Sequence, residues 1–265
     1  MRFAPALAVS ISFVLAQPSQ AAQPAPVQTF TGEYAVTYLG LTLAESTVTT
    51  TLKGNRLTAR GSMASAGLAR LFDKTTADIS VRAIRSKTGI VPQFFRLTYQ
   101  TGKKKKQLTE IRFAKGDVNK TINKPALRKR DKKTWVPVGA KELRTVFDPF
   151  TAAIVMAPSL GEVCKRTIRA YDGEMRSDLV LSHKAYGEID IPGYAGKTVT
   201  CSAKYKPVAG YRNNRKELIS LRDKTEIDIT FAPLATTGLY VPVMATADTE
   251  IGTVRLRARR TELTN

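Results

Sequence analysis

Apolar and polar residues alternate in many short runs along this chain. The clearest run spans residues 250–260, where Val254, Leu256 and Ala258 alternate with three arginines. A period of two is typical of a strand with one buried and one solvated face. Similar runs recur between turn-forming residues and predict about a dozen short strands. They cover residues 30–38, 41–53, 56–62, 75–82, 94–100, 108–113, 164–171, 178–183, 197–205, 216–222, 225–231, 239–247 and 250–260.

Two segments break this period and have helical character. Residues 63–72 are rich in alanine and carry apolar residues at helix-like spacing, which predicts a short helix or a tight connector. The better helix candidate is 148–157. Asp148 is a preferred N-cap residue, Pro149 suits the first helical position, and Pro158 stops the run. We expect this helix to plug an apolar opening of the sheet.

The order of these elements indicates the fold class. Strands that are not separated by regular helices exclude a repeating βαβ architecture and favour a large antiparallel sheet. We therefore predict an all-β fold with minor α content, in which a curled sheet forms an open barrel or β-spiral with one or two short helices. Residues 30–265 are expected to form a single domain. Two domains divided near Pro158 are the alternative.

The N-terminus has the features of an export signal. Arg2 precedes an apolar stretch, residues 6–16, that is shorter than the ~20 residues a spanning helix needs. Ser19 and Ala21 fit the small-x-small cleavage rule, so we predict a signal peptide at 1–21 and a periplasmic protein. Cleavage one residue later and a retained signal anchor are the alternatives. A disordered leader is expected at 22–29. A lipoprotein anchor is not expected, because no cysteine lies at the cleavage site, and no later transmembrane segment is predicted.

Composition agrees with a globular β protein, and the charge narrows the choice of partner. The chain carries a formal net charge of +20 and has a pI near 10.1, which predicts attraction to polyanions. For an exported protein these are lipopolysaccharide, peptidoglycan and acidic phospholipids rather than nucleic acid. The alternative is a set of solvated loops that maintain solubility, such as the basic stretch 120–138. The candidate anion-binding patch comprises Lys103, Lys104, Lys105, Lys106, Arg128, Lys129, Arg130, Lys132 and Lys133.

The two cysteines predict a structural bond. Cys164 and Cys201 give an even count in an oxidising compartment, and neither belongs to a CxxC pair. A disulfide between them is therefore expected, and redox catalysis is not. If both cysteines are bonded, one histidine remains as a zinc ligand of the usual kind, which is too few for a zinc site. We predict no metal and no cofactor.

Catalytic chemistry has little support in the sequence. His183 is the lone histidine and no GxSxG motif accompanies it, so we assign no catalytic residue. Asp172, Glu174 and Asp178 cluster around a glycine and are able in principle to bind a hard cation or to act as acid and base. The intervening Arg176 favours a hairpin with a salt-bridged carboxylate instead.

Several short stretches, taken in their order along the chain, form a recognisable pattern. They are Tyr34-Ala35-Val36 with Gly40, Asp148-Pro149, Cys164 followed by Tyr171-Asp172-Gly173-x-x-Arg176-x-Asp178-Leu179, Cys201 followed by Tyr205-x-Pro207-x-x-Gly210-Tyr211, Tyr240-Val241-Pro242, and Gly252. Together they resemble an uncharacterised proteobacterial envelope family that carries domain of unknown function 3108. The resemblance implies an exported, β-rich protein and brings no established active site. A weaker similarity links the chain to β-spiral envelope-integrity proteins of alphaproteobacteria, which combine a signal peptide, a long curled antiparallel sheet and one disulfide.

Three functional hypotheses follow. The first is a non-enzymatic periplasmic protein that supports cell-envelope integrity by binding an anionic envelope component or an envelope protein. The second is a periplasmic carrier that holds a lipid or another hydrophobic ligand in the groove of the curled sheet. The third is a hydrolase that uses the Asp172 cluster. The likeness to the β-spiral proteins places the first ahead of the second.

Overall fold

The computed structural model describes residues 27–264 apart from 73, 103, 104 and 236. The predicted signal peptide at 1–21 lies outside these residues, and so does most of the predicted leader. The leader prediction is wrong for residues 27–29. They belong to the first strand, because their backbone pairs with residues 51–53 of the next strand.

The described chain forms sixteen β-strands, two α-helices and two 3-10 turns. The first half contains β1 (Val27–Tyr38), β2 (Leu41–Lys53), β3 (Arg56–Ser65), α1 (Ala69–Phe72), β4 (Thr75–Arg85), β5 (Ile90–Thr101), β6 (Lys105–Ala114), β7 (Asp117–Lys124) and β8 (Trp135–Val136). The second half contains a 3-10 turn (Thr151–Ala153), β9 (Val155–Met156), a 3-10 turn (Leu160–Glu162), β10 (Thr167–Tyr171), β11 (Arg176–Ile191), β12 (Tyr194–Ala209), β13 (Tyr211–Arg212), α2 (Lys216–Asp223), β14 (Glu226–Pro233), β15 (Leu239–Thr249) and β16 (Gly252–Thr264).

One antiparallel sheet of fourteen strands organises the fold. Its order is β10-β11-β12-β14-β15-β16-β1-β2-β3-β4-β5-β6-β7, and β9 adds a short pairing to β15. Each half of the order is a meander of neighbouring strands, and the two meanders join where β16 pairs with β1. The predicted large antiparallel sheet is therefore confirmed. β8 and β13 form a separate two-stranded ladder.

The sheet curls until its two edge strands, β7 and β10, approach each other, but no pairing between strands of the described residues closes it. Residues 143–147 fill the gap: Val118 of β7 donates its N–H to Leu143, and Phe147 exchanges backbone hydrogen bonds with β10. The Asn123 amide donates to the carbonyl of Gly173 across the same gap, at 2.9 Å. The architecture is thus an open barrel whose seam is sealed by a loop.

The core lies on the concave face of this sheet. Ala59, Val81, Phe95 and Ile111 stand opposite one another on four successive strands, and all are at least 98% buried. A second apolar cluster surrounds Phe231 and the paired cysteines. A third contains Ile154, which follows the 3-10 turn Thr151–Ala153. Period-two alternation therefore places the apolar face inside, as the sequence pattern predicts.

The predicted helix at 148–157 is wrong in form. Only the 3-10 turn Thr151–Ala153 is helical, and β9 follows because its backbone pairs with Leu239 and Tyr240 of β15. Tertiary pairing has overridden the local helical signal. The predicted plugging role agrees with the structure, since Ile154 packs against apolar residues of the surrounding strands.

Asp148 introduces a carboxylate into this plug. Its side chain is fully buried, and Oδ1 accepts hydrogen bonds from the N–H groups of Phe150 and Thr151. Oδ2 has no hydrogen-bond partner among the described residues. Burial raises the pKa of this carboxyl from 3.8 to about 6, although the two N–H groups oppose the shift.

The raised pKa predicts a pH-dependent stability. Protonation of Asp148 contributes to the free energy of unfolding in full below about pH 4, the pKa in the unfolded chain. This contribution, about 3 kcal/mol in total, is lost as the pH rises through 6. We expect Asp148→Asn, which keeps the Oδ1 acceptor, to unfold at higher urea concentration than the native chain at pH 8 and at nearly the same concentration at pH 4. An Asn variant that is less stable at pH 8 would show that the carboxylate has a compensating partner.

Three further predictions need correction. Residues 216–222 are not a strand but lie in α2, because Lys, Glu, Leu and Arg are strong helix formers. The basic stretch 120–138 is not all loop, since 120–124 complete β7 and 135–136 form β8. The helix predicted within 63–72 is present as α1, but 63–65 continue β3.

Candidate functional site

The convex face of β3 to β7 carries rows of cations. Each inward residue of the Ala59–Ile111 row alternates with an outward one, so Arg60, Arg82, Arg96 and Arg112 all point away from the core. Eight exposed cations share this surface, which we call the outer basic face. They are Arg56, Arg60, Arg82, Arg96, Lys106, Arg112, Lys120 and Lys124.

Few acidic groups balance these cations. On the same outward positions of β3 to β7 the described residues include three acids, Asp78, Glu110 and Asp117. Glu110 pairs with Arg112 at 2.8 Å. The other seven cations form no ion pair within the part of the chain that the structure describes. The surface therefore has a surplus of positive charge that is free to meet an anion.

Two structural details shape this face. The guanidinium of Arg82 lies over the ring of Phe94, 4.4 Å from its centre, which holds the cation close to the sheet. Arg96, Lys106 and Lys124 border a groove of about 470 Å³ together with Asp78. An extended anionic chain is able to lie in such a groove and contact several cations.

The predicted anion-binding patch is divided between two places. Lys103 and Lys104 lie outside the described residues, and Lys105 and Lys106 begin β6. The residues from Arg128 to Lys133 are exposed in the loop before β8. Of the described members of the patch, Lys106 alone belongs to the outer basic face. The sequence did not reveal this face because its other residues are spread over five strands.

Arg130 of the predicted patch has a structural partner. It stacks over the Trp135 ring, with 4.5 Å between guanidinium and ring centre, and pairs with Glu174. These groups line a cleft of about 660 Å³ that also contains Asp172 and Tyr211. The Tyr171–Leu179 and Tyr205–Tyr211 stretches quoted above meet here, although they lie far apart in the sequence.

The Asp172 cluster has the geometry of a turn. Asp172 Oδ1 accepts the N–H groups of Glu174 and Met175, at 2.9 and 2.7 Å, and closes the β10–β11 hairpin. Asp178 pairs at 2.6 Å with Arg176, which is buried. Each carboxylate thus already has a partner, as the hairpin interpretation predicts. Among the described residues no cluster of three or more potential metal ligands occurs.

His183 and the cysteines lie on the paired strands β11 and β12. His183 is exposed and its ring contacts Tyr186, with 4.5 Å between ring centres. Cys201 stands opposite it and is bonded to Cys164 in the predicted disulfide. Both cysteines are buried in a core cluster. The bond therefore fastens the segment before β10 to the middle of β12.

A small apolar chamber remains inside the barrel. Its volume is about 170 Å³, below the ~300 Å³ at which ligand pockets usually begin. Burial raises the pKa of the Tyr34 phenol in its wall to about 12, so the hydroxyl stays neutral. The lining residues are Phe30, Tyr34, Ser46, Val48, Thr50, Phe150, Ala153, Ile154, Val241, Pro242 and Leu256.

Comparison with known proteins gives a family but no activity. A family model described as "Protein of unknown function (DUF3108)" matches residues 33–259. A solved structure, a β-barrel-like protein of domain of unknown function DUF1849 from Brucella abortus, is similar at 9% sequence identity. That match covers 89% of this chain and 98% of the other, with a TM-score of 0.48. No curated protein matches the sequence. Neither α1 nor α2, the α-helices of the described residues, has the length and hydrophobicity of a membrane-spanning helix.

Proposed function

Because this chain belongs to the DUF3108 family, whose description names no activity, we propose a function from the geometry. The protein is a non-enzymatic, periplasmic binding protein whose outer basic face holds an anionic component of the cell envelope and so supports envelope integrity. The observation that carries this proposal is the surplus of eight cations over three acids among the described residues on one face of five adjacent strands.

The spacing of the cations suits a polymer or an array of anions. Arg60 and Arg96 lie two strands apart, which corresponds to about 10 Å in a sheet. Guanidinium groups bind carboxylates and phosphates through paired hydrogen bonds, so arginines at this spacing are able to contact neighbouring anionic groups at the same time. Lipopolysaccharide phosphates and peptidoglycan carboxylates supply such groups.

A matched pair of variants tests this function. We expect Arg60→Gln, Arg82→Gln and Arg96→Gln combined to weaken binding to immobilised lipopolysaccharide or peptidoglycan about tenfold or more at 0.1 M salt, because three unpaired charges are lost. The control combines Arg255→Gln, Arg257→Gln and Arg259→Gln on β16, where the same charge is removed beside Glu33 and Glu45. Native binding should fall steeply between 0.1 and 0.5 M salt.

Other outcomes would redirect the proposal. Equal losses in the two triple variants would mean that net charge alone drives binding. Loss only after neutralising Lys103 to Lys106 and Arg128 to Lys133 would return the site to the predicted patch. A deletion strain that tolerates detergents and envelope-targeting antibiotics as well as its parent would contradict the role in envelope integrity.

The carrier function is the second candidate, and the apolar chamber favours it. At about 170 Å³ the chamber has room for only part of a lipid unless the plug around Phe150 moves. This size is why we place binding at the outer basic face first. Native mass spectrometry of protein purified from its host distinguishes the two, because a carrier retains a hydrophobic ligand.

A further inference from the structure

One end of the sheet exposes an unusual number of large apolar side chains. The described chain has eleven such side chains, and six of them lie on or beside the turns β15–β16, β1–β2 and β3–β4. Ile251 and Leu71 are the most exposed, at 78% and 76%. We call this group the apolar rim. Its members are Leu39, Leu41, Leu68, Leu71, Ile251 and Val254.

The turns that carry the rim are neighbours at one end of the sheet. The Tyr38 hydroxyl donates to the Ile251 carbonyl at 2.6 Å, which joins the β1–β2 turn to the β15–β16 turn. Ala66 donates its N–H to Leu43 at 2.9 Å and brings the β3–β4 connector against β2. The N–H of Gly102 donates to the carbonyl of Lys74 at 3.0 Å, which places the β5–β6 turn beside the β3–β4 connector. Four neighbouring turns therefore project from the same end.

Turn geometry does not explain the leucine at the tip of β1–β2. Leu39 has φ +48° and Gly40 has φ +82°, a two-residue turn that favours Asn, Asp or Gly at its first position. The β6–β7 turn at the opposite end has the same pattern, with φ +54° and +88°, and carries Lys115 there. An exposed leucine held in a disfavoured backbone conformation points to a use for its side chain.

Cations flank the rim. Arg70 and Lys74 lie on the β3–β4 connector, and Lys105 begins β6. Of the acids at the β15–β16 turn, Glu250 is paired with Lys224 at 2.6 Å and Asp248 accepts a hydrogen bond from the Thr253 hydroxyl. Apolar tips surrounded by free positive charge are complementary to a bilayer with anionic headgroups, where the tips enter the acyl boundary and the cations meet phosphates.

We propose that the apolar rim docks this protein on the surface of an anionic phospholipid bilayer. Separate turn tips are suited to lipid, since each inserts by itself, whereas a protein partner requires a packed surface of about 1,000 Å² or more. The site goes beyond the proposed function and uses a different part of the molecule from the outer basic face.

Vesicle binding tests the proposal. Vesicles of phosphatidylethanolamine and phosphatidylglycerol at 3:1 should sediment the native protein, and phosphatidylcholine vesicles should do so weakly. Leu39→Asn with Ile251→Asn should lower the partition coefficient about tenfold or more, because two exposed apolar side chains no longer enter the bilayer. Leu263→Asn, an exposed leucine at the opposite end, should change it less than twofold.

Misfolding is controlled within the same design. Asparagine tolerates the left-handed conformation at position 39, so Leu39→Asn alone should keep or raise the thermal midpoint while it weakens vesicle binding. A parallel fall in midpoint and binding would remove the support for direct contact.

Orientation gives an independent readout. The described residues contain no free cysteine, so Leu68→Cys and Asn55→Cys each accept one polarity-sensitive label. Adding vesicles should raise the fluorescence of the label at Leu68→Cys and leave that of the label at Asn55→Cys unchanged. The same result is expected when Arg60→Gln, Arg82→Gln and Arg96→Gln are also present. Equal responses at both ends, or a rim-dependent dimer that ignores vesicles, would overturn the proposal and leave the proposed polyanion function standing.

Discussion

Replacing Cys164 and Cys201 together by alanine should lower the free energy of unfolding by about 4 kcal/mol. The bond joins residues 37 positions apart, and in the chain-entropy model a loop of this length restricts the unfolded chain by that amount. Because the two cysteines are buried in the core, alanine also removes sulfur contacts without introducing a polar group. The expected fall in thermal midpoint is on the order of 10 °C.

Urea denaturation of the oxidised native chain and the double variant measures this effect. The reduced native chain serves as the control, because it loses the cross-link but keeps both sulfur atoms. A double variant that unfolds at the same urea concentration as the oxidised protein would show that the link is dispensable for stability.

Replacing Arg176 by methionine should cost about 3–5 kcal/mol. Arg176 is 1% exposed. Its guanidinium pairs with Asp178 and also donates to the carbonyl of Glu142, in the segment that leads into the seam loop. Removing the cation leaves the partly buried Asp178 carboxylate without its ion-pair partner and the Glu142 carbonyl without its donor. The seam between β7 and β10 should loosen as a result.

A double-mutant cycle with Asp178→Asn separates the ion pair from the other contacts of Arg176. The control is Arg112→Met on the outer basic face, where the cation is half exposed and the loss should stay below about 1 kcal/mol. Equal costs at the two positions would contradict the structural role of Arg176. Hydrogen exchange of residues 143–147 should rise in the Arg176 variant alone.

Much of the fold follows from the sequence because alternation reports directly on burial. In β16 the inward Ala258 is 1% exposed, while the arginines on either side of it are exposed. The plug could not be predicted in the same way. Its local signal is helical, and only the pairing of β9 with β15 makes residues 155–156 extended. Such pairing depends on residues more than 80 positions away in the chain.

The candidate surfaces show the same limit. Runs such as Lys103 to Lys106 are visible in the sequence, whereas the cations of the outer basic face alternate with inward residues and fall on separate strands. Register alone brings them together. The rim has a weak local signal, because Leu39-Gly40 and Ile251-Gly252 place apolar residues before turn glycines. Their adjacency depends on the pairing of β1 with β16.

That pairing also has a consequence for the order in which the molecule assembles. β1 to β7 and β10 to β15 are built from neighbouring hairpins, which close quickly because their ends are near in sequence. β16, the last strand described, lies between the two halves and is the only one that pairs with both. We therefore expect two early folding units and a slow final step of high contact order, in which the arrival of β16 locks the halves into one cooperative structure.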